Sequence, residues 1–330
     1  MPDALPIADL ADRVRAGDRR ALAQAITLVE STRADHRDQA EALLATLLPF
    51  SGQGVRVGIT GVPGVGKSTF IEAFGLHVIA CGHKVAVLAI DPTSQRTGGS
   101  ILGDKTRMEL LSRETRAFIR PSPAGSTLGG VARRTREAML LVEAAGFDVV
   151  IVETVGVGQS ETAVADMVDL FLLLLPPAGG DELQGIKKGI VELADMIVVN
   201  KADGDLTNAA RHAEAEYRHA LALLRPANRN WPVPVLSCSA LNKVGIDGIW
   251  DRINEYRRLL GHDGSIDRRR ADQARAWMWN EIRENLIAAF QGDHAVRTEL
   301  SALEQATAAG TVTPGAAARR LLGLFRGADR

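Results

Sequence analysis

The amino-acid sequence predicts an α/β domain whose central sheet is mostly parallel, with about seven strands. Short apolar, β-rich runs alternate along the chain with longer amphipathic segments, which is typical of strands joined by crossover helices. Apolar runs without a polar interruption, such as residues 149–152, indicate strands that helices cover on both faces. Helical patterns before and after this region predict helical extensions at both ends.

Seven segments are candidate strands, each bounded by glycine, proline, aspartate or asparagine. They are residues 55–60, 85–90, 116–119, 149–152, 170–174, 197–200 and 233–237. The clearest helices between them are predicted over residues 67–80, 206–224 and 245–260. These patterns leave the order of the strands in the sheet open.

Helical periodicity marks both ends of the chain. Residues 7–48 predict about three helices, and the residues beyond 264 predict about three more. Thr313 and Pro314 form a good N-cap and first-turn pair for the last of these helices. The predicted division is a helical extension over 1–54, the α/β domain over 55–262 and a helical arm over 263–330. Because the arm has a broad apolar stripe and few residues for a core, we expect it to pack on the main domain or on a second copy of the chain.

The composition excludes several classes of protein. The 330 residues carry 39 Lys and Arg against 40 Asp and Glu, a formal net charge of −1. This balance argues against non-specific binding to nucleic acid or to an anionic membrane. Cys81 and Cys238 lie far apart, which is typical of a reducing compartment, and each is interpreted as a small buried residue. No signal-peptide pattern or membrane-spanning apolar run is found, so the expected location is the cytoplasm.

A glycine-rich motif follows the first predicted strand and opens the first helix of the α/β domain. Its pattern, G-x-x-x-x-G-K-S, is that of a phosphate-binding P-loop and predicts a P-loop NTPase fold. Backbone N–H groups of such a loop approach a triphosphate, the lysine contacts the β and γ phosphates, and the serine holds Mg²⁺. The predicted nucleotide-binding residues here are Gly61, Val62, Pro63, Gly64, Val65, Gly66, Lys67, Ser68 and Thr69. A simple glycine turn is the alternative, which the strand–helix context disfavours.

A carboxylate ends the fourth predicted strand, where Glu153 is followed three positions later by Gly156. In P-loop proteins an acid at this place orders the water around Mg²⁺, and the glycine N–H meets the γ phosphate. Asp91 and Asp104, in a polar, glycine-rich stretch after the second strand, are either further residues of the ion site or turn residues. The candidate magnesium residues are Ser68, Asp91, Asp104 and Glu153, and the candidate catalytic residues are Lys67, Asp91 and Glu153.

Two later motifs indicate which base is bound. Asn200, Lys201 and Asp203 form an N-K-x-D pattern at the end of the sixth predicted strand. An aspartate there accepts hydrogen bonds from N1–H and the exocyclic amine of guanine, whereas adenine has no donor at these positions. The S-A-x loop, which offers a backbone N–H to guanine O6, is matched by Ser239, Ala240 and Leu241. Together with the P-loop and the E-x-x-G pattern, these motifs predict binding of GTP and GDP.

Other segments carry a weaker chemical signal. Residues 176–188, which end in two adjacent lysines, are either a switch segment or a solvated helix start. The seven histidines show no metal-ligand spacing with cysteine or acidic residues. The basic run 268–270 lies beside Asp263, Asp267 and Asp272, and it is interpreted as a solvated helix face.

With these residues in hand, the sequence resembles the MeaB/ArgK/MMAA family, the methylmalonyl-CoA mutase-associated GTPases, and its bacterial MeaB members in particular. The matching stretches are 58–75, 89–108, 118–135, 150–161, 176–190 and 198–203. The resemblance implies a homodimeric GTPase that binds an adenosylcobalamin-dependent methylmalonyl-CoA mutase, gates loading of its cofactor, and protects or reactivates it. It also implies that the C-terminal arm mediates dimerisation and that residues 176–190 signal the nucleotide state to the mutase.

The rate of hydrolysis can also be anticipated. Position 157, directly after the glycine of E-x-x-G, is valine, where Ras-like proteins carry a glutamine that orients the attacking water. We therefore predict slow hydrolysis by the isolated protein and stimulation by a partner. The alternative function is a P-loop kinase or ATPase that phosphorylates a transport protein or a small molecule. Such an enzyme should favour ATP, and the N-K-x-D pattern argues against it.

Overall fold

The computed structural model describes residues 6–31, 33–90, 108–121, 128–154, 160–177, 188–222 and 230–327, and in this part of the chain seven strands form one sheet. The strands are β1 (Val55–Gly61), β2 (Val85–Ile90), β3 (Ala117–Arg120), β4 (Val149–Thr154), β5 (Leu170–Leu175), β6 (Met196–Val199) and β7 (Val235–Ser237). Their order is β3-β2-β4-β1-β5-β6-β7, and every neighbouring pair is parallel. The predicted sheet is confirmed.

Helices connect the strands and extend the chain at both ends. Those of the N-terminal and central regions are α1 (Ile7–Arg15), α2 (Arg19–Glu30), α3 (Ala34–Leu47), α4 (Lys67–Ala80), α5 (Glu109–Arg113), α6 (Leu128–Ala144), α7 (Ser160–Ala165), α8 (Lys188–Leu193), α9 (Thr207–Ala222) and α10 (Ile246–His262). The last three are α11 (Ser265–Gly292), α12 (His294–Ala308) and α13 (Pro314–Gly327). The three helices at each end confirm the prediction made from the periodicity of the sequence. At the start of α13, the Ala316 N–H donates to the Oγ1 of the predicted N-cap residue Thr313 at 3.4 Å.

The chain folds as two compact units, Met1–Arg270 and Ala271–Arg330. In the first unit α1, α2 and α3 pack on one another and on α6, and an ion pair joins Arg120 at the end of β3 to Glu30 at the end of α2. In the second unit α12 and α13 share a small core. The division at 54/55 and 262/263 stays a prediction. No helix in the described ranges is long and apolar enough to cross a membrane.

Different helices cover the two faces of the sheet. On one face Val57, Ile59 and Ile151 belong to a core that α4 and α10 complete. On the other face α7 lies directly on β1, since a Cβ added to Gly58 would come 2.7 Å from Val164 Cγ1. Both β1 and β4 are buried along their whole length, which explains the uninterrupted apolar run of residues 149–152 in β4.

Two strand ends differ from the prediction by two residues, and the other ends by at most one. The last strand was expected over 233–237, but β7 begins at Val235 because Pro234 has no N–H to donate to the sheet. The Pro234 carbonyl still accepts a hydrogen bond from Ile197 N at 3.0 Å. Strand β4 runs two residues beyond its predicted end, so Glu153 lies inside the strand.

The interpretation of the basic run 268–270 as a solvated face was wrong for two of its three arginines. Arg270 donates to both carboxylate oxygens of Asp169, at 2.7 and 2.6 Å, and Arg269 donates to Asp195 at 2.9 Å. Asp169 and Asp195 directly precede β5 and β6, at the amino edge of the sheet. They lie 101 and 74 positions from their arginines, so the local charge pattern could not reveal them.

Candidate functional site

The glycine-rich loop joins β1 to α4 at the carboxyl edge of the sheet, as its sequence context predicts. Gly61 is the last residue of β1, and Gly66 caps the start of α4 with φ 93°. A Cβ at Gly66 would come 2.9 Å from Asn200 Nδ2, so a side chain here would both strain the backbone and displace that amide. The loop is therefore held close to the N-K-x-D segment.

The P-loop lysine lies over its own loop. Lys67 Nζ donates to the carbonyl of Gly61 at 2.8 Å and to that of Val62 at 3.4 Å. Ser68 is partly buried and Thr69 is exposed in the first turn of α4. Because the helix begins here, its first N–H groups, which have no partner within the helix, and the positive end of its dipole lie at the loop. The ammonium and the helix start together favour binding of a polyanion.

The N-K-x-D segment holds the middle of the P-loop from the side. Asn200 Nδ2 donates to the Val65 carbonyl at 2.9 Å, and Lys201 Nζ donates to the Gly64 carbonyl at 2.8 Å. Asn200 is buried, whereas Lys201 is exposed and has φ 61°, a left-handed conformation uncommon outside glycine. Within the loop Val65 points into the core and Pro63 is exposed. The predicted phosphate and base motifs form one hydrogen-bonded assembly.

The S-A-L loop completes this assembly. The Ala240 N–H donates to Asn200 Oδ1 at 3.1 Å, and the Ser239 hydroxyl donates to the Asp203 carboxylate. Leu241, at the tip, is 75% exposed. The structure thus brings the two motifs predicted to recognise the base together, with the aspartate side chain oriented by the serine.

Cys238 is a member of the site that the sequence did not single out. Its thiol donates to Asn200 Oδ1 at 3.5 Å, and its backbone N–H and carbonyl bond Val199 and Ala202, each at 2.9 Å. Burial raises the pKa of the Cys238 thiol to about 12, so the group stays protonated and able to donate. Its place directly before S-A-L was the available signal. Cys238 is buried as predicted, but Cys81 is exposed at the end of α4, contrary to the prediction.

Glu153 lies on the strand next to the P-loop strand, on the face of the sheet that α4 covers. It is in register with Ile59 of β1 and Ala89 of β2. Alternate residues of a strand share a face, so Glu153 shares the face of Ile151, which packs in the core under α4. Ser68 lies in the first turn of that helix. A buried carboxylate and a hydroxyl therefore belong to the same side of the sheet.

Ser68 and Glu153 are the described members of the predicted magnesium site. Asp91, Asp104, Gly156 and residues 178–187 lie outside the described part of the chain. Among the described residues, no group of three or more His, Cys, Asp and Glu could hold a metal. Mg²⁺ at a nucleotide site takes one or two protein oxygens and fills its other positions with phosphate oxygens and water. The residues present therefore fit this ion.

A known family and several known proteins are similar to this chain. The family described as "Methylmalonyl Co-A mutase-associated GTPase MeaB" matches residues 22–295. A Caulobacter vibrioides protein named as a GTPase is 59% identical over 98% of this chain and 99% of its own. The Mus musculus protein named methylmalonic aciduria type A homolog, mitochondrial, is 49% identical over 94% of this chain and 77% of its own. The crystal structure of an LAO/AO transport system kinase is 40% identical, has a TM-score of 0.78, and matches over 99% of both chains.

Proposed function

This chain belongs to the MeaB family of methylmalonyl-CoA mutase-associated GTPases, and we propose that it is the GTP-hydrolysing chaperone of an adenosylcobalamin-dependent methylmalonyl-CoA mutase. As a member of this family it is a GTPase that binds guanine nucleotides. In the proposed role it binds the mutase, gates the loading of its cofactor, and protects or reactivates it. The observation that carries the proposal is the hydrogen-bonded assembly of the predicted phosphate and base motifs, in a chain whose family is described by its association with that mutase.

The triphosphate is assigned to residues 61–69. Their backbone N–H groups and the start of α4 would bind the phosphates. Lys67 Nζ, which bonds the Gly61 and Val62 carbonyls, can turn toward the β and γ phosphates by rotating its flexible side chain. There it would stabilise the negative charge that develops on the transferred phosphoryl group during hydrolysis.

Ser68 and Glu153 are the described residues that would hold Mg²⁺, with Asp91 and Asp104 as further predicted members of that site. When bound, the ion would offset the charge of the phosphate oxygens. Ser68 would offer its hydroxyl oxygen at the start of α4. Glu153 would accept hydrogen bonds from ordered water at the end of β4, because its buried carboxylate faces the α4 side of the sheet.

Guanine is assigned to Asp203 and the S-A-L loop. The Ser239 hydroxyl orients the Asp203 carboxylate, which would accept hydrogen bonds from N1–H and the exocyclic amine of the base. The Ala240 N–H is engaged by Asn200, so the next N–H of the loop, that of Leu241, is assigned to guanine O6. Lys201, bonded to the P-loop at Gly64, would cover the plane of the base.

A second candidate function, a P-loop kinase acting on a transport protein or a small molecule, is favoured by the likeness to the LAO/AO transport system kinase structure. A kinase of this type should prefer ATP. We expect the orientation of Asp203 to favour GTP instead. Competition between GTP and ATP for the purified protein separates the two. Displacement of bound GDP by GTP but not by ATP supports the GTPase, and displacement by ATP in preference to GTP supports the kinase.

The arm supports the further proposal of a homodimer. On α11, Met278, Ile282 and Leu286 follow one another at four-residue spacing, and all three are exposed, as is the adjacent Trp279 at 58%. A monomer would leave this apolar stripe in water. Sedimentation of the I282D/L286D variant tests the proposal, with E284Q on the opposite side of the helix as control. A monomeric variant and a dimeric control are expected; a monomeric wild-type protein would contradict the proposal.

Complex formation tests the assignment to the mutase. The protein, loaded with GDP or with a non-hydrolysable GTP analogue, is passed over a sizing column with an adenosylcobalamin-dependent methylmalonyl-CoA mutase. An unrelated enzyme of similar size is the control. We expect co-elution with the mutase alone, to an extent that depends on the nucleotide. The Lys67→Ala variant should lose this nucleotide dependence, and the absence of any complex would contradict the proposed partner.

A further inference from the structure

Two threonines at the carboxyl ends of β1 and β4 share a buried hydrogen bond. Thr60 Oγ1 and Thr154 Oγ1 lie 2.8 Å apart, so one hydroxyl donates and the other accepts. Thr60 is 1% exposed and Thr154 is fully buried, which keeps the bond away from solvent. We propose that this pair, the threonine bridge, positions the end of β4 against the P-loop for GTP hydrolysis. Thr60 and Thr154 are then positioning residues of the reaction.

The threonine bridge lies where the two strands lead into different parts of the site. Ile59 is in register with Glu153, and the threonines are the next residue of each strand. Beyond Thr60 the chain enters the P-loop at Gly61, and beyond Thr154 the sequence continues through the rest of the E-x-x-G motif to Gly156. The bridge is thus the last described link between the strand of the phosphate loop and the strand of the acid.

The bridge and the acid belong to opposite faces of the sheet. Side chains alternate along a strand, so Glu153 faces the α4 side with Ile59, while Thr154 faces the other side with Thr60 and Gly58. On that other side α7 packs directly on β1. A rotation of the strand end that moved the carboxylate would also separate the two hydroxyls. The bridge therefore fixes the direction of the carboxylate from the opposite face.

A double-mutant cycle follows from the chemistry of a buried hydroxyl pair. Valine has nearly the shape of threonine but cannot form the bond. One valine leaves the opposite hydroxyl buried without this partner, whereas two valines remove both polar groups. If the bridge acts as a unit, the effects of T60V and T154V on the reaction do not add.

The experiment measures kcat for GTP and the affinity for GDP in T60V, T154V and T60V/T154V. We expect kcat to fall about tenfold in each single variant and no further in the double, with GDP affinity changed less than about twofold. The T154S variant keeps a hydroxyl at this position and should hydrolyse GTP at about the wild-type rate. Thr135 of α6, a buried threonine whose hydroxyl donates to the Val131 carbonyl at 2.9 Å, provides the matched control T135V. That control should lose stability but keep its kcat.

The inference rests on the role proposed above for Glu153, so E153Q is assayed beside the threonine variants. If E153Q is inactive but T60V and T154V hydrolyse GTP at the wild-type rate, the bridge has no positioning role. Additive losses in the double variant, or equal losses of kcat and GDP affinity, overturn it as well. If E153Q is fully active, the assignment of Glu153 fails and the inference fails with it. Should T154V not fold, T60V breaks the same bond and decides.

Discussion

Replacement of Asn200 by alanine tests whether the base and phosphate sites act as one assembly. The side chain donates to the Val65 carbonyl at 2.9 Å and accepts from the Ala240 N–H at 3.1 Å and the Cys238 thiol at 3.5 Å. The two bonds to the backbone would contribute about 1 kcal/mol each, and the bond from the thiol less. Because the groups left behind are buried, we expect a total loss of about 2–3 kcal/mol. If the whole of this loss appeared as weaker nucleotide binding, the affinity for GDP would fall about 30- to 150-fold.

The loss divides between nucleotide binding and folding, so both are measured. Titration with a fluorescent GDP analogue gives the dissociation constant, and urea unfolding of the nucleotide-free protein gives the free energy of unfolding. We expect the GDP dissociation constant of N200A to rise at least about tenfold. Asn208, exposed on α9, provides the control N208A, which should change neither quantity. Wild-type GDP affinity in N200A, or a loss confined to stability, would refute the idea of one assembly.

Three further outcomes are expected. The Arg270→Met variant leaves the buried Asp169 carboxylate without its ion pair, so urea should unfold it with a free energy lower by about 3 kcal/mol; an unchanged unfolding curve would contradict this. The Arg13 guanidinium holds the pKa of Asp18 below its usual range. The stability from this carboxylate is thus present above about pH 4 and lost as the pH falls through the lowered pKa, and D18N melts should lack that dependence. The Gly66→Ala variant, forced to φ 93°, should bind GDP about tenfold more weakly in the same titration, and wild-type affinity would refute the strain argument.

The elements that the sequence predicted are those whose signal is local. Buried parallel strands need apolar side chains on both faces, so a run such as 149–152 marks a strand without knowledge of its neighbours. A P-loop needs its glycines, lysine and serine within eight consecutive positions, so residues 61–68 predicted both the fold and the start of α4. At β7 the local apolar pattern was not sufficient, because Pro234 shortens the strand despite its apolar neighbours.

The contacts that the sequence did not predict join residues far apart in the chain. Arg270 and Asp169 are 101 positions apart, and Thr60 and Thr154 are 94 positions apart. The first pair depends on where α11 begins relative to β5, and the second on the adjacency of β1 and β4. Strand order was open at the level of the sequence, so neither contact could be inferred. Cys238 was overlooked for a different reason, since a thiol donor is weak and its partner Asn200 is 38 positions away.

The proposed partnership of this GTPase with a methylmalonyl-CoA mutase is tested by the rate of GTP turnover with and without that enzyme. Val157 stands where a water-orienting glutamine would accelerate hydrolysis, so turnover by the protein alone should be slow. We predict a large rise in GTP hydrolysis when the adenosylcobalamin-dependent mutase is added, with no rise for ATP or for an unrelated enzyme. Fast turnover by the protein alone would contradict the predicted slow hydrolysis, and a rate that the mutase leaves unchanged would contradict the proposed partner.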